Sequence, residues 1–494
     1  MVMNVLGALP FPVVSLGVPP AAAVPSGPLV MTPQPQASRF SSREIELQPG
    51  VEVSLGQYKF RILNLLGRGS FSAVWNAARL DGGGEVAIKE TLCRSQQELQ
   101  DAENEARILQ MVGSVALRIS SFIACETMPL HSGTTSVRLA MAKVSGDTVG
   151  TFLQQRRKQW IGDSNFQFLE ACSFTYELLA QLVPALDAIS AVALHRDINT
   201  HNLLVSTACG SSVPQFSIID FGLAVDVHSW PTQHTKVPVA GDCRYWPVSS
   251  WYIFAHGGPK LTEMPSLVME YRTQLDLHAL GITALQVFID MLPQQSVSAI
   301  PEEIRALKVA WDQYWQDASR LWEPLFHAFE RKTDWMTLRQ TYIANEAHNI
   351  IDKALGQLRR ALCNARDAFA HVEPDCKATV IFSVLAELIS QGAKPLGREA
   401  AMSNIKLASW SGIAGLLNSS LAAPIHCDSI GRRGSTTTLP RCAPSSTTLP
   451  MKSKLHTTTT STPVHTRGLS TTPTMVISGP TTILKSPCMQ SRMI

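Results

Sequence analysis

Three short polar segments, set in a fixed order between hydrophobic runs, constrain the fold of this chain more than any other feature. The first covers residues 86–89 (VAIK), the second covers 195–202 (HRDINTHN) and the third covers 220–222 (DFG). Each could arise by chance, but together they supply two cations, two carboxylates and two amides. Such a set can hold a phosphate chain and an oxygen-preferring metal ion such as Mg²⁺. A fold that uses all three segments must bring them together across a long stretch of intervening chain.

These ordered segments resemble those of the eukaryotic protein kinase family, whose motif set is specific when it occurs whole. The resemblance is clear over residues 57–290, whereas only helical character agrees from 290 to 393. A long insertion after the third segment makes the chain similar to divergent, protist-like members. The resemblance implies an α+β bilobal fold, with a small β-rich N-lobe that carries one large helix and a larger, mainly helical C-lobe. It also implies transfer of the γ-phosphoryl group of ATP, with Mg²⁺, to serine or threonine hydroxyls of a protein substrate.

Composition divides the 494 residues into three parts. Residues 1–50 are rich in proline, which disfavours helix and sheet alike, and we interpret them as a disordered leader. Residues 57–393 form the predicted kinase domain, with an N-lobe at about 57–145 and a C-lobe at about 146–393. Serine, threonine and proline crowd residues 410–494, where basic residues outnumber acidic ones, so we predict a disordered basic tail.

Charge and hydropathy exclude other classes of protein. The chain has 42 basic and 39 acidic residues, a balance that argues against nucleic acid as the main partner. No run reaches the roughly 18 apolar residues that a membrane helix needs. The 10 cysteines form no CxxC pair, so reduced thiols in a cytosol-like compartment are favoured over disulfides or a zinc site. We therefore expect a cytoplasmic protein, although the apolar N-terminus leaves targeting open, and the oligomeric state stays unknown.

Hydrophobic periodicity predicts strands in the first part of the domain and helices in the second. Ser95 and Glu98 stand in capping-box spacing at the start of the first long helix. The predicted strands cover residues 58–63, 73–75 and 85–90, with a glycine-rich turn at 67–72. The later predicted helices cover residues 168–191, 275–288 and much of 301–393.

The resemblance implies that the N-lobe and the hinge between the lobes hold the nucleotide. Lys89 would contact the α- and β-phosphates, and Met141 would guard the deep end of the pocket. The backbones of Ala142 and Val144 would hold the adenine. The full set of implied nucleotide-binding residues is Gly67, Gly69, Ser72, Val74, Ala87, Lys89, Met141, Ala142, Val144 and Asp220.

A lysine at the end of a hydrophobic strand needs a counter-ion, because burial without one would cost it its charge. The resemblance implies that the first large helix supplies a glutamate to Lys89. We assign this role to Glu105, with Glu98 and Glu103 as alternatives on the same stretch of chain. Lys89 and Glu105 therefore belong to the predicted catalytic residues.

The remaining catalytic roles follow from the second and third segments. Asp197 would accept the proton of the substrate hydroxyl, and Asn202 and Asp220 would bind Mg²⁺. Asp276 resembles the buried aspartate that holds the catalytic loop, and Arg196 would pair with a phosphate on the activation segment. The candidate acceptors for that phosphate are Ser229, Thr232 and Thr235.

Several positions depart from the family. Asn199 replaces a lysine that normally helps to neutralise the γ-phosphate. Asp242 replaces a threonine that braces this region, and if it came close to Asp197 the pKa of one carboxyl would rise. Residues 247–249 lack the glutamate that usually ends the activation segment. The stretch 250–273, which leads to Asp276, is longer than the corresponding stretch in most family members.

Two other interpretations stay open. A pseudokinase scaffold would bind nucleotide without efficient turnover; the departures favour it, and the intact Lys89, Asp197 and Asp220 argue against it. A small-molecule kinase of the aminoglycoside or choline type ranks lower. Such enzymes usually differ at the position of Arg196 and lack Phe-Gly after the metal-binding aspartate.

Overall fold

The computed structural model describes residues 47–389 and 408–419, apart from seven short gaps. The gaps are residues 70–71, 131–132, 160–163, 208–212, 293–299, 332–334 and 373–375. Nearly all of the predicted leader and most of the predicted tail lie outside the described residues. All described residues belong to one structural unit.

The first part of the domain is a six-stranded antiparallel sheet with strand order β1-β2-β3-β4-β6-β5. Its strands are β1 (Glu52–Leu55), β2 (Tyr58–Arg68), β3 (Ser72–Arg79), β4 (Glu85–Cys93), β5 (Phe122–Pro129) and β6 (Thr135–Ala142). The three strands predicted from periodicity lie within β2, β3 and β4, and are confirmed. The sheet begins with β1, earlier than the predicted lobe boundary at 57.

Helix α1 (Gln96–Gly113) packs against β4, β5 and β6. Its start is capped as predicted, because the Glu98 N–H donates to Ser95 Oγ at 3.2 Å. Glu98 Oε2 in turn accepts the Arg94 N–H at 2.6 Å, so both side chains satisfy backbone groups at the helix end. The cap fixes the point at which the chain leaves β4 and therefore the face that α1 presents to the sheet.

Cross-strand register decides what the two faces of the sheet contain. Lys89 on β4 lies opposite Val74 on β3 and Leu139 on β6. Residues directly opposite in an antiparallel ladder share a face, so these side chains form one row. The next residue along β4, Glu90, points to the other face and pairs with Arg138 of β6 at 2.9 Å, both side chains being buried.

The second part of the domain is mainly helical. Its early helices are α2 (Val149–Gln159), α3 (Ser164–Ser190), α4 (Trp230–Gln233), α5 (Val248–His256), α6 (Gly258–Leu261) and α7 (Pro265–Thr273). The later ones are α8 (Leu275–Asp290), α9 (Glu302–Arg331), α10 (Trp335–Ala344), α11 (Ala347–Val372), α12 (Lys377–Leu388) and α13 (Trp410–Ser419). Almost every residue of α8 is buried, so this helix forms the centre of the lobe.

Close packing of α8 against α12 needs a glycine at the crossing. A Cβ added to Gly281 would lie 2.8 Å from Leu388 Cβ, well inside normal contact. The predicted helices at 168–191, 275–288 and 301–393 are confirmed by α3, α8 and α9 to α12. Together with the sheet they confirm the predicted α+β, two-lobed kinase fold.

Helix α13 corrects one predicted boundary. It lies inside the segment that we predicted to be disordered from residue 410, yet Trp410, Ile413 and Leu417 are buried. The helix packs on α3 and α12, and the Tyr176 hydroxyl donates to the Leu417 carbonyl at 3.3 Å. Apolar residues at helical intervals give α13 a hydrophobic face, and burial of this face stabilises the helix within a Ser- and Thr-rich segment. Within the described part of the chain, none of the helices has the length and apolar character to cross a bilayer.

Candidate active site

Short ladders in the second lobe hold the two catalytic segments. They comprise β7 (Asp147–Thr148), β8 (Ala193–Leu194), β9 (Leu203–Ser206), β10 (Gln215–Ile218) and β11 (Val225–Asp226). The pairs are β7 with β9, β9 with β10 and β8 with β11. The catalytic loop therefore runs between β8 and β9, and Asp220 lies two residues after the end of β10.

Asp276 at the start of α8 fixes the beginning of the catalytic loop. Its Oδ2 accepts the His195 N–H and its Oδ1 accepts the Arg196 N–H, both at 2.7 Å. Both bonds are shielded from water, since Asp276 is buried. The prediction that this carboxylate holds the loop backbone is confirmed.

Lys89 lies between two carboxylates. Its Nζ is 2.6 Å from Glu105 Oε1 and 2.9 Å from Asp220 Oδ1. The side chains of Lys89 and Glu105 are each 7% exposed, whereas that of Asp220 is 38% exposed at the cleft. The predicted ion pair therefore forms, and it joins the N-lobe helix to the third motif segment.

The alternatives to Glu105 are occupied elsewhere. Glu98 caps α1, and Glu103 accepts a hydrogen bond from Thr127 Oγ1 at 3.4 Å. Glu105 lies on the buried face of α1 with Ala102 and Ala106. The position of Glu105 on α1 places it beneath the sheet, whereas Glu98 and Glu103 are not among the buried residues of this helix.

Burial and charge act in opposite directions on this cluster. Burial would lower the pKa of Lys89, but the charges of Asp220 and Glu105 outweigh burial and hold it above its usual value. Burial would raise the pKa of Asp220, yet Lys89 and the Gly222 N–H hold it below its usual range. For Glu105, burial prevails over the attraction of Lys89, and its pKa is raised. Asp220 thus keeps its negative charge, as a metal ligand must.

Asp197 lies in the catalytic loop with both carboxylate oxygens hydrogen-bonded. Its Oδ1 accepts from Asn199 Nδ2 at 2.9 Å and from the Asp242 N–H at 3.2 Å. Its Oδ2 accepts from Asn202 Nδ2 at 2.8 Å. Burial raises the pKa of Asp197, and the nearby charge of Asp220 raises it further, while the Asp242 N–H pulls it back. The net direction suits a proton acceptor, because a useful base has a pKa nearer the working pH.

The free oxygens of Asn202 and Asp220 have the chemistry that Mg²⁺ prefers. The hydrogen bonds from the Asn202 side chain are donated by Nδ2, to Asp197 Oδ2 and to the Asp197 carbonyl, both at 2.8 Å. Its Oδ1 therefore remains for a cation. In Asp220, Lys89 and Gly222 both bond to Oδ1, which leaves Oδ2. One carboxylate oxygen and one amide oxygen fit the ligand set of Mg²⁺.

Backbone strain occurs within the two catalytic segments. Arg196 has a φ of 67° and Asp220 a φ of 64°, both in the left-handed region that non-glycine residues rarely adopt. Such conformations persist only where the surrounding contacts impose them, and they concentrate at functional sites. The contacts from Asp276 to the loop and from Lys89 to Asp220 supply that constraint.

The Asp242 carboxylate does not act on Asp197 as the sequence suggested. It pairs with Arg244, whose Nε lies 3.0 Å from each Asp242 oxygen. Only the backbone N–H of Asp242 reaches Asp197, and a donor lowers a carboxyl pKa rather than raising it. Arg244 also lies over the Trp315 ring, 5.1 Å from its centroid. The carboxylate of Asp242 is therefore held by Arg244, and the close carboxylate pair that would have raised a pKa does not form.

Arg196 is also placed differently from the expectation. Its Nη1 donates to the Leu223 carbonyl at 3.4 Å and its Nη2 donates to the Pro238 carbonyl. Its guanidinium lies 5.2 Å from the Trp230 ring centroid, a cation–π distance. Neutral groups of the activation segment thus contact the Arg196 guanidinium, which we predicted to pair with a phosphate.

The predicted nucleotide-binding residues of the sheet lie in two adjacent rows. Val74 and Lys89 share one row, and Ala87 shares the next with Met141. Gly67 lies opposite Val74 in the ladder, which places the glycine-rich turn beside Lys89. The turn closes with the Gly69 N–H donating to the Ser72 carbonyl at 2.7 Å, and residues 70–71 at its tip lie outside the described residues.

The backbone of the predicted hinge residue Ala142 already has partners within the protein. Its N–H donates to the Ser121 carbonyl at 2.8 Å, and its carbonyl accepts from Ser120 Oγ at 2.5 Å. Its contact with the adenine stays a prediction. Val144 follows the end of β6, and its role at the adenine stays a prediction.

A buried glutamate that the sequence did not reveal contacts the end of the activation segment. Glu270 is 6% exposed, and its Oε2 accepts the Ser249 N–H at 2.7 Å. It lies on the buried face of α7 between Leu267 and Tyr271. The glutamate absent from residues 247–249 is thus matched by one from the insertion at 250–273. Its helical spacing with those two apolar residues was the available signal.

The fold and the site together define a class of protein. A small sheet lobe and a helical lobe together hold a lysine–glutamate pair, a partly exposed aspartate and a second carboxylate on a loop that Asp276 fixes. A sequence profile described as "Protein kinase domain" matches residues 60–372, which is more than half of the chain. The chain therefore belongs to the protein kinase family.

Two curated relatives have limited similarity to this chain. It is 25% identical to the putative ribosomal protein S6 kinase alpha-2 of Caenorhabditis elegans over 270 residues, which cover 52% of this chain and 32% of that protein. It is 30% identical to the serine/threonine-protein kinase PLK4 of Xenopus laevis over 179 residues, which cover 35% of this chain and 17% of that protein. The chain thus spans about a third of the length of the first relative and about a sixth of the second.

Proposed function

We propose that this chain is a protein kinase that uses ATP and Mg²⁺ to phosphorylate serine or threonine hydroxyls of protein substrates. The observation that supports this most is the position of the Lys89 ammonium, 2.6 Å from Glu105 and 2.9 Å from Asp220. A pre-formed cation beside a cleft-facing carboxylate is the arrangement that phosphoryl transfer needs. The names of both relatives support a kinase, and PLK4 is named as a serine/threonine kinase.

Asp197 is the proposed proton acceptor. The substrate oxygen would attack the γ-phosphorus while its proton passes to Asp197. The bond from that phosphorus to the β–γ bridging oxygen would break, and its electron pair would leave with ADP. Three donors from Asn199, Asn202 and Asp242 hold the carboxylate in one orientation before substrate binds. Such pre-positioning reduces the reorganisation that the transition state requires.

Lys89, Asn202 and Asp220 are the proposed ligands of the nucleotide and its metal. Lys89 would contact the phosphates while Glu105 keeps its ammonium in place. Asn202 Oδ1 and Asp220 Oδ2 would hold Mg²⁺, which when bound neutralises charge on the β- and γ-phosphate oxygens. The raised pKa of Lys89 and the lowered pKa of Asp220 keep both groups charged for these roles.

Transfer of label from γ-labelled ATP to a generic basic protein, with Mg²⁺ or with EDTA, tests the proposal. We expect transfer only with Mg²⁺, and its loss in Asp220→Asn. Asp312→Asn is the matched control, since Asp312 is an exposed residue paired with Lys308 on α9. ATP binding without transfer would favour the pseudokinase. Absence of any Mg²⁺-dependent ATP binding would contradict both. Cytoplasmic location remains a proposal from composition alone.

A further inference from the structure

Asn199 makes four hydrogen bonds inside the catalytic loop. Its Nδ2 donates to Asp197 Oδ1 at 2.9 Å and to the Asp197 carbonyl at 3.2 Å. Its Oδ1 accepts the His201 N–H at 2.8 Å and the Asn202 N–H at 3.2 Å. The side chain is 5% exposed, so these bonds are shielded from water. One amide thus links the predicted base to the backbone that carries the predicted metal ligand.

A lysine could not make this set of contacts. An ammonium offers three donors and no acceptor, so the His201 N–H would lose its bond to the side chain, and the Asn202 N–H would keep only the Asn199 carbonyl at 3.1 Å. An asparagine amide supplies two donors and an acceptor within one planar group. The departure from the family at position 199 therefore exchanges a flexible cation for a bond network that closes the loop on itself.

We propose that Asn199 is a positioning residue that orients Asp197 as the proton acceptor and fixes Asn202 beside it. This inference rests on the proposed kinase function. Asn199 acts through Asp197, because both polar groups of its amide are already bonded within the loop. The chain would accordingly carry out transfer without a cation at this position, leaving Lys89 and Mg²⁺ to neutralise the phosphates.

The bond from Asn199 to Asp197 has a signature that loop stability alone does not have. A donor to an ionised carboxylate lowers the pKa of that carboxyl. Removing the donor should raise the pKa of Asp197 and move the acid limb of the kcat–pH profile to higher pH. A purely structural role for Asn199 would lower the amount of folded enzyme but leave the acid limb where it is.

The test compares three substitutions at one position in the full chain. Asn199→Ala should lower kcat by roughly 10²-fold, within the range that a misplaced general base costs, with KM for ATP little changed. Asn199→Asp should move the acid limb further, because a like charge adds to the lost donor. Asn199→Lys should be slower than wild type although it restores the family residue. Asn349→Ala is the control, since Asn349 is an exposed asparagine on α11.

A carboxyl titration separates this inference from the kinase proposal. Carbon-13 NMR of labelled aspartates, in wild type and Asn199→Ala, follows Asp197 whether or not the chain turns over. A higher Asp197 pKa in the variant supports the positioning role even if wild type transfers no phosphate. An unchanged Asp197 pKa, or an Asn199→Lys variant as fast as wild type, would overturn the inference.

Discussion

Substituting the cleft lysine tests stability and catalysis at once. Lys89→Met should abolish transfer, because no other cation lies at the proposed phosphate position on the described sheet. It should also destabilise the fold, since Glu105 would lose the partner that lies 2.6 Å away. Glu105 has only 7% of its side chain exposed, so water cannot replace the lysine. A loss of activity in this variant alone would therefore be ambiguous.

The expected cost follows from that burial. Removing one partner of a buried ion pair costs about 3–5 kcal/mol, which is a large part of the 5–15 kcal/mol that stabilises a typical domain. Part of the cost is avoided at low pH, because Glu105 already has a raised pKa and can take up a proton instead. The destabilisation should therefore grow as pH rises, because the Glu105 carboxyl must then ionise without its cation.

Denaturant unfolding of matched variants measures this. Lys89→Met combined with Glu105→Leu should recover most of the lost free energy of unfolding, yet stay inactive. Lys308→Met is the control: it removes an exposed lysine 2.9 Å from Asp312 on α9 and should cost about 0–1 kcal/mol. Lys89→Met with wild-type stability at pH 8 would refute the buried-pair reasoning. Lys89→Met with wild-type transfer would refute the catalytic assignment.

Three further predictions concern other parts of the domain. Arg138→Met should cost about 3–5 kcal/mol in urea unfolding, because it removes the buried cross-strand ion pair with Glu90; near-neutral stability would contradict this. Burial lowers the pKa of His278 to about 3 from 6.5, so stability should fall as pH drops below 6.5. His278→Phe should remove about 2 kcal/mol of the loss measured between pH 7 and 5, and an equal loss in both proteins would contradict the assignment. Replacing the three candidate phosphate acceptors Ser229, Thr232 and Thr235 by alanine should leave the transfer rate unchanged, because backbone carbonyls already bind Arg196. A tenfold loss of rate would show that a phosphate is needed.

The sequence predicted what is local or shared with the family. Strands and capped helix starts depend on neighbouring residues, so β2 to β4 and the Ser95 cap were predictable. The Lys89–Glu105 pair was predictable because residues 104–110 resemble the corresponding helix of many kinases. The placement of Asp276 under the catalytic loop followed in the same way.

What escaped prediction depends on contacts between distant segments. The Pro238 carbonyl meets Arg196 across the activation segment, and the Glu270 carboxylate reaches Ser249 from the insertion. Helical spacing could indicate that Glu270 is buried, but no local pattern identifies the distant group that either side chain contacts. Helix α13 was missed for another reason: its few apolar residues are enough only because α3 and α12 supply a matching surface. The role of Asp242 was mispredicted because the sequence suggests that its carboxylate lies near that of Asp197. In the folded chain the Asp242 carboxylate pairs with Arg244 instead.

A crystal structure with a non-hydrolysable ATP analogue and Mn²⁺ tests the central claim most directly. Mn²⁺ takes the same oxygen ligands as Mg²⁺ and gives an anomalous signal. We expect an anomalous peak between Asn202 Oδ1 and Asp220 Oδ2, with Lys89 on the phosphates and Asp197 facing the γ-phosphate. Nucleotide bound away from Lys89, or a metal peak that touches neither Asn202 nor Asp220, would contradict the account.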